Sequence, residues 1–241
     1  YRENDQMVRA SVSYIFDKNE FFRLWNEKKY LQRHPFMIQE RVIGTGIGYF
    51  VLLNREKPVA EFCHRRIREK PVSGGVSVFS ESIPVRSDIR EYSLKLLSAL
   101  GWFGVAMVEF KLDRQTNIPM LMEVNGRFWG SLQLSINAGV DFPNLLLKAS
   151  LNGCTEAGCP SYKAFLRWRW LLGDLDHLLL RCRPQKNQAL PPGFSSRAET
   201  ALQFIRTFMS RETGYDVCWR SDIGPFLHEF RQYIKDILQR E

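Results

Sequence analysis

Two acidic residues fourteen positions apart, Glu109 and Glu123, stand inside two runs that read as strands, Val105 to Leu112 and Met120 to Asn125, joined by a polar turn. Side chains alternate along a strand, so Glu109 and Lys111 share one face of the first run, while Ala106, Val108, Phe110 and Leu112 share the other. Glu123 and Asn125 share a face of the second, and Arg127 follows just past its end. A hairpin centred near Thr116 and Asn117 sets Glu109 opposite Glu123. Like charges facing each other across a sheet are destabilising. The pair therefore needs either solvent, as on an ordinary exposed hairpin, or a hard cation. Mg2+ takes oxygen ligands from a few carboxylates, waters and substrate phosphates. Asn125 can add a carbonyl oxygen, and the planar fork of Arg127 suits a phosphate.

The elements around this hairpin read as α+β. Ser11 to Asp17 alternates enough for a strand, and Asn19 offers a cap for a helix that carries Phe22, Trp25 and Tyr30 on one face. Phe36 to Gln39 reads as a second strand, and Gly44 to Gly48 as a turn that lets backbone approach a ligand. That glycine stretch is not a phosphate-gripping P-loop, because no Lys-Ser or Lys-Thr follows it. Tyr49 to Asn54 and Val59 to His64 form a hairpin around Glu56, Lys57 and Pro58. Arg65 to Ser82, with Pro71, Gly74 and Gly75 among arginines and serines, reads as a long loop. Ser87 caps a helix to about Leu100, with Ile89, Leu94, Leu97 and Leu100 inward and Gly101 stopping it; another helix follows Phe142-Pro143 and ends near Asn152-Gly153.

Beyond Gly153 the texture changes to a linker over Cys154 to Pro160, a strand-like FLRWRWLL, a helix from Asp174 to Arg183, a Pro-rich loop at 191–193, and helical patterns over Ala198 to Met209 and Pro225 to Gln239. Trp168 and Trp170 alternate with Arg167 and Arg169 as a half-buried strand with a basic outer face. His64 reads as a packed strand-end residue rather than a base.

MVEFKLD followed by MEVNGRFWGS resembles the paired metal-binding strands of the ATP-grasp superfamily, in particular its carbamoyl-phosphate-synthetase and carboxylate-amine-ligase branches. The resemblance covers roughly residues 10 to 153 and implies a partial ATP-grasp fold: an antiparallel sheet with flanking helices over 1–153, and a mainly helical C-terminal extension of unassigned role over 154–241. Within the first part it implies the end of a small lobe over 1–40, then a hinge and catalytic lobe over 40–153. It implies that Glu109, Glu123 and Asn125 hold Mg2+, or alternatively Mn2+, on ATP phosphates, and that Arg127 binds phosphate or an acyl-phosphate intermediate. IQERVIG resembles the interlobe hinge, which gives Gln39, Glu40, Arg41 and Val42 the adenine edge. Thr45 to Tyr49 lacks the second carboxylate that many relatives use for ribose. The stretch from His64 to Gly75 resembles the family's large loop over the reaction centre, so that Arg66 and Arg68 face transferred charge. The family's phosphate-binding lysine has no match and is expected before Tyr1, which makes the chain a fragment.

The implied activity is a ligase that activates a carboxylate as an acyl phosphate for attack by an amine or similar nucleophile. Its alternatives are a kinase-like phosphotransferase on the same fold and a non-catalytic basic binding module. A net charge of +8 fits a polyanion, but the basic residues are dispersed and no DNA- or RNA-binding signature is present, which favours nucleotide over nucleic acid. No apolar run approaches the roughly 20 residues that span a bilayer, and there is no signal peptide, so no membrane partner is expected. Five cysteines without paired spacing suit reduced thiols in the cytoplasm rather than a zinc site. The substrates expected are a small carboxylate and an amine, with oligomerisation left open.

Overall fold

A computed structural model of the chain describes residues 2–3, 6–7, 12–54, 57–152, 159–182, 195–210, 212–219 and 221–239. It divides into two compact units, Tyr1–Arg41 and Val42–Glu241.

The first unit holds a two-stranded ladder of β1 (Arg2–Glu3) and β2 (Gln6–Met7), then α1 (Lys18–Glu27) and α2 (Tyr30–Arg33). Asp17 rather than Asn19 caps α1, its carboxylate accepting from the Glu20 amide at 2.8 Å. Trp25 packs against Phe21 and Phe36, and Arg41 lies over the Tyr14 ring. The strands expected at 11–17 and 36–39 are absent among the described residues: 12–17 and 36–39 are irregular. Met37 and Ile38 are exposed at 75% and 63%. An apolar run becomes a strand only where a partner takes its backbone donors and acceptors, and local pattern does not report the partner.

The second unit is built on a seven-stranded sheet in the order β7-β6-β3-β4-β5-β8-β9. Its strands are β3 (Gly44–Asn54), β4 (Lys57–Lys70), β5 (Val76–Ser82), β6 (Gly104–Asp113), β7 (Pro119–Asn125), β8 (Arg167–Arg169) and β9 (Thr213–Tyr215). All neighbours are antiparallel except the parallel β8–β9 pair. One face carries Tyr49, Val51, Cys63, Ala106, Val108 and Phe110 and is closed by α3 (Ser87–Ala99) through Ile89 and Leu97. The other carries Phe50, Leu52, Phe62 and Met107, closed by Leu134 and Ala138 of α4 (Leu132–Ala138) and Phe142 of α5 (Phe142–Asn152). Helices α6 (Leu171–Cys182), α7 (Arg197–Met209) and α8 (Gly224–Leu238) follow.

Several expectations are corrected here. The glycines from Gly44 to Gly48 lie within β3 rather than in a turn, and they are required by crowding from above the sheet: a Cβ on Gly46 would stand 2.8 Å from Arg66 Cδ, and one on Gly48 2.8 Å from His64 Nε2. The long loop over 65–82 is instead the end of β4, a tight turn at 71–75, and β5. Ser87 is the first helical residue and Arg86 the cap, while Leu100 is 59% exposed where the helix ends before Gly101. Arg169 faces inward and is fully buried, so β8 has no uniformly basic outer face. Helix α4 had no counterpart among the expected elements. The boundary expected near residue 153 and the Pro-rich loop at 191–193 lie outside the described residues. After the former, β8 pairs with β5 in the same sheet.

Candidate functional site

Register brings the acidic pair together: Glu109 of β6 stands directly across from Glu123 of β7, and Met107 across from Asn125. Gly48 of β3 occupies the position opposite Glu109 on the other side, and His64 of β4 lies beyond it. The space that a side chain at Gly48 would take is filled by the rings of Phe50 and His64.

Glu109 is 6% exposed, whereas Glu123 is exposed. The Asn125 amide donates to Glu123 Oε1 at 2.8 Å and reaches Glu109 Oε1 at 3.5 Å. Arg66, two residues beyond His64, pairs directly with Glu109 through Nη2. Its Nη1 donates to Glu69 Oε1 and to the Gly75 carbonyl, each at 2.9 Å. Lys111 Nζ completes the group 3.5 Å from Glu69 Oε2. Burial pushes the Glu109 carboxyl above the ordinary range; Arg66 pulls it back, while Glu123 and Glu69 push it further up. A cation entering beside Glu109 and Glu123 relieves that upward push.

The donor set suits Mg2+. Two carboxylates and an amide converge at the polar end of one sheet face, and Mg2+ completes such a set with waters and phosphate oxygens rather than requiring an all-protein cage. Half a turn about the Asn125 amide presents its oxygen in place of the Nδ2 donor, the two orientations differing only in that assignment.

The remaining expected residues are distributed differently. Arg127 is exposed, its Nη1 donating to the Phe128 carbonyl at 3.0 Å, two residues past the end of β7. Arg68 is on the opposite face from Arg66 because a bulge separates them, and it is 7% exposed against Asp174. Gln39, Glu40 and Arg41 close the first compact unit and Val42 opens the second. Glu69 escaped the sequence reading. It stands three residues from Arg66, and only the bulges flanking Arg68 turn both to one face. Period-two alternation gives no signal for that.

His64 is buried on this face, with its ring edge-on to Phe50 at 4.7 Å and neither nitrogen hydrogen-bonded among the described residues. Burial, with Arg66 nearby, holds its pKa down at about 3 from 6.5. A folded-state pKa below the unfolded value means that the His64 contribution is fully present above pH 6.5 and is lost as pH falls toward 3. Replacing His64 with Leu is expected to flatten the dependence of the urea midpoint on pH below 6.5.

A family profile described as ATP-grasp in the biosynthetic pathway with Ter operon matches residues 59–172, a span that holds Arg66, Glu69, Glu109, Glu123, Asn125 and Arg127. That span, just under half of the chain, is that of an ATP-grasp superfamily member. No curated protein matches the sequence. Solved structures similar to this ATP-grasp chain include the biotin carboxylase domain of a thermophilic 2-oxoglutarate carboxylase bound to bicarbonate, at 14% identity and TM-score 0.48 over 63% of this chain and 36% of that one. An L-amino acid ligase from Bacillus licheniformis is 17% identical with TM-score 0.44, over 58% of this chain and 36% of that one. A biotin carboxylase–β,γ-ATP complex from Campylobacter jejuni is 17% identical with TM-score 0.42, over 54% and 30%. The ATP-grasp chain thus matches about a third of the length of each of these structures. Among the described residues, no helix is long and apolar enough to cross a membrane.

Proposed function

We propose that this ATP-grasp chain supplies the nucleotide- and Mg2+-binding part of a ligase that activates a small carboxylate as an acyl phosphate for attack by an amine or similar nucleophile. The observation that carries the reading is the pairing of Glu109 with Glu123 beside Asn125, an arrangement unfavourable in itself that a hard cation makes favourable. In this reading Glu109, Glu123 and Asn125 hold Mg2+, which when bound offsets phosphate charge. The guanidinium groups of Arg66 and Arg127 stabilise charge on the transferred phosphoryl group. Gln39, Glu40, Arg41 and Val42 take the adenine edge. Arg68, sequestered against Asp174, acts only through the strand it holds. The family description, which refers to a biosynthetic pathway, agrees with bond formation as the outcome.

Calorimetric titration of ATP and a non-hydrolysable analogue, with and without Mg2+, tests this on the wild-type protein and on Glu123→Gln. Expected is binding that needs Mg2+ and weakens at least about tenfold in the variant, as loss of one hard-cation ligand of a neutralised pair implies. Nucleotide binding indifferent to Mg2+ and to Glu123 would remove the assignment. Product analysis with the full-length protein then separates a ligase, whose ADP formation requires a second nucleophile, from a phosphotransferase that leaves a stable phosphate ester.

A further inference from the structure

Arg66 occupies an unusual position for a residue expected to meet phosphate, because it is already committed. Its side chain is 10% exposed, that of Glu109 is 8% exposed, and the two are in direct contact. The same guanidinium is pinned by its other nitrogen to Glu69 Oε1 and to the carbonyl of Gly75 in the turn before β5. Its methylene stem lies over Gly46, where a Cβ would stand 2.8 Å from Cδ. Glu69 is fixed in turn: Lys111 lies 3.5 Å from its carboxylate, and His177 Nδ1 of α6 donates to its backbone carbonyl at 2.7 Å.

The charges decide what a cation does here. Glu69, Glu109 and Glu123 face Arg66 and Lys111, leaving one net negative charge. A divalent ion at Glu109 and Glu123 makes the group net positive with Arg66 still on Glu109, and two cations then compete for one buried carboxylate. We propose that Arg66 is the resident counter-ion of Glu109 and that cation loading exchanges it, releasing Nη2 toward phosphate while Nη1 stays anchored on Glu69 and Gly75. The exchange needs no backbone movement, since the anchored nitrogen and the bare Gly46 beneath the stem let the fork pivot. Its consequence is ordered loading: a metal ion alone meets an occupied carboxylate, whereas a metal arriving with a polyphosphate brings the anion that receives the displaced guanidinium. This inference rests on the assignment of Glu109 and Glu123 as metal ligands.

The test is direct Mn2+ titration by electron paramagnetic resonance, without nucleotide, of wild-type protein, Arg66→Gln, Arg66→Lys and the double variant Arg66→Gln/Glu109→Gln. A neighbouring opposite charge alters a carboxylate's affinity for a proton by about one to three powers of ten. Arg66→Gln is therefore expected to bind free Mn2+ at least about tenfold more tightly than wild type, Arg66→Lys to stay near wild type, and the double variant to lose the gain. Unchanged or weaker Mn2+ binding by folded Arg66→Gln overturns the exchange. Mg2+-dependent ATP binding by the wild type, measured alongside, shows whether the metal assignment itself survives that result. If Arg66→Gln does not fold, the wild type still answers: the Arg66 Nε–H resonance, assigned by its loss in Arg66→Lys, is expected to shift as Mg2+ and ATP saturate the site. A resonance unmoved at saturation overturns the exchange.

Discussion

Replacing Glu109 with Gln is expected to lower the rate of ADP formation by the full-length protein by about a thousandfold, roughly 4 kcal/mol of barrier. The reasoning runs from position. Glu109 is the buried member of the facing pair, flanked by Gly48 and bridged to Glu123 by Asn125. A glutamine keeps the volume but removes the charge that holds a hard cation, and it leaves Arg66 with Glu69 as its one ionised partner among the described residues. Glu123 is exposed and better solvated, so its loss is expected to weaken metal binding more than it disturbs the fold. Steady-state kinetics at increasing Mg2+ separates the possibilities. A defect that high Mg2+ overcomes shows that Glu109 contributes chiefly to affinity. A thousandfold loss persisting at saturation shows that it aligns the bound ion. A rate within about threefold of wild type would remove Glu109 from the site, because a charge at the reacting phosphates is worth several kcal/mol.

The hairpin that carries this pair was legible because polar and apolar residues alternate around each carboxylate, in Glu109-Phe110-Lys111-Leu112 and Glu123-Val124-Asn125, and the turn between the runs is polar. The sequence-derived turn near Thr116 and Asn117 is realised with Asp113 accepting from the Gln115 and Thr116 amides at 2.9 and 2.8 Å and Asn117 at φ 59°. The segment from Arg65 to Ser82 was not legible for the opposite reason. Its arginines are polar on both faces, so no apolar alternation marks a strand. The structure shows why a sheet tolerates them: Arg65 pairs with Glu81, Arg66 with Glu69 and Glu109, Arg68 with Asp174, and Lys70 with Asp176. Four of those carboxylates lie at least 16 residues away from their partners, beyond any local window. The same holds for Asp17 and Asn19, both good caps, between which only the actual first turn of α1 chooses.

The buried end of that arginine series carries the largest expected effect on stability: Asp174→Asn is expected to cost about 3–5 kcal/mol, the usual penalty when one partner of a buried ion pair is removed. Asp174 is fully buried and serves two guanidinium groups, Arg68 through contacts at 2.5 and 2.7 Å and Arg169 through one at 2.5 Å. Each arginine also lies over a ring, Arg68 over Phe79 and Arg169 over Phe204. Neither terminal nitrogen of Arg169 has a hydrogen-bond partner among the described residues, so the carboxylate is its principal charge compensation there. Without Asp174, two cations remain in one buried space. Arg68→Met removes a cation and leaves the Asp174–Arg169 pair matched, and for that reason it is expected to be the milder change. Urea unfolding of both variants measures the difference, and equal losses would mean that packing rather than charge holds this junction. The junction also reaches the site. Asp174, Asp176 and His177 of α6 hold Arg68, Lys70 and the Glu69 carbonyl on β4, and Glu69 in turn holds Arg66. A folded Asp174→Asn protein is therefore expected to lose Mg2+-dependent ATP affinity as well, although Asp174 lies on the face of β4 opposite the carboxylate pair.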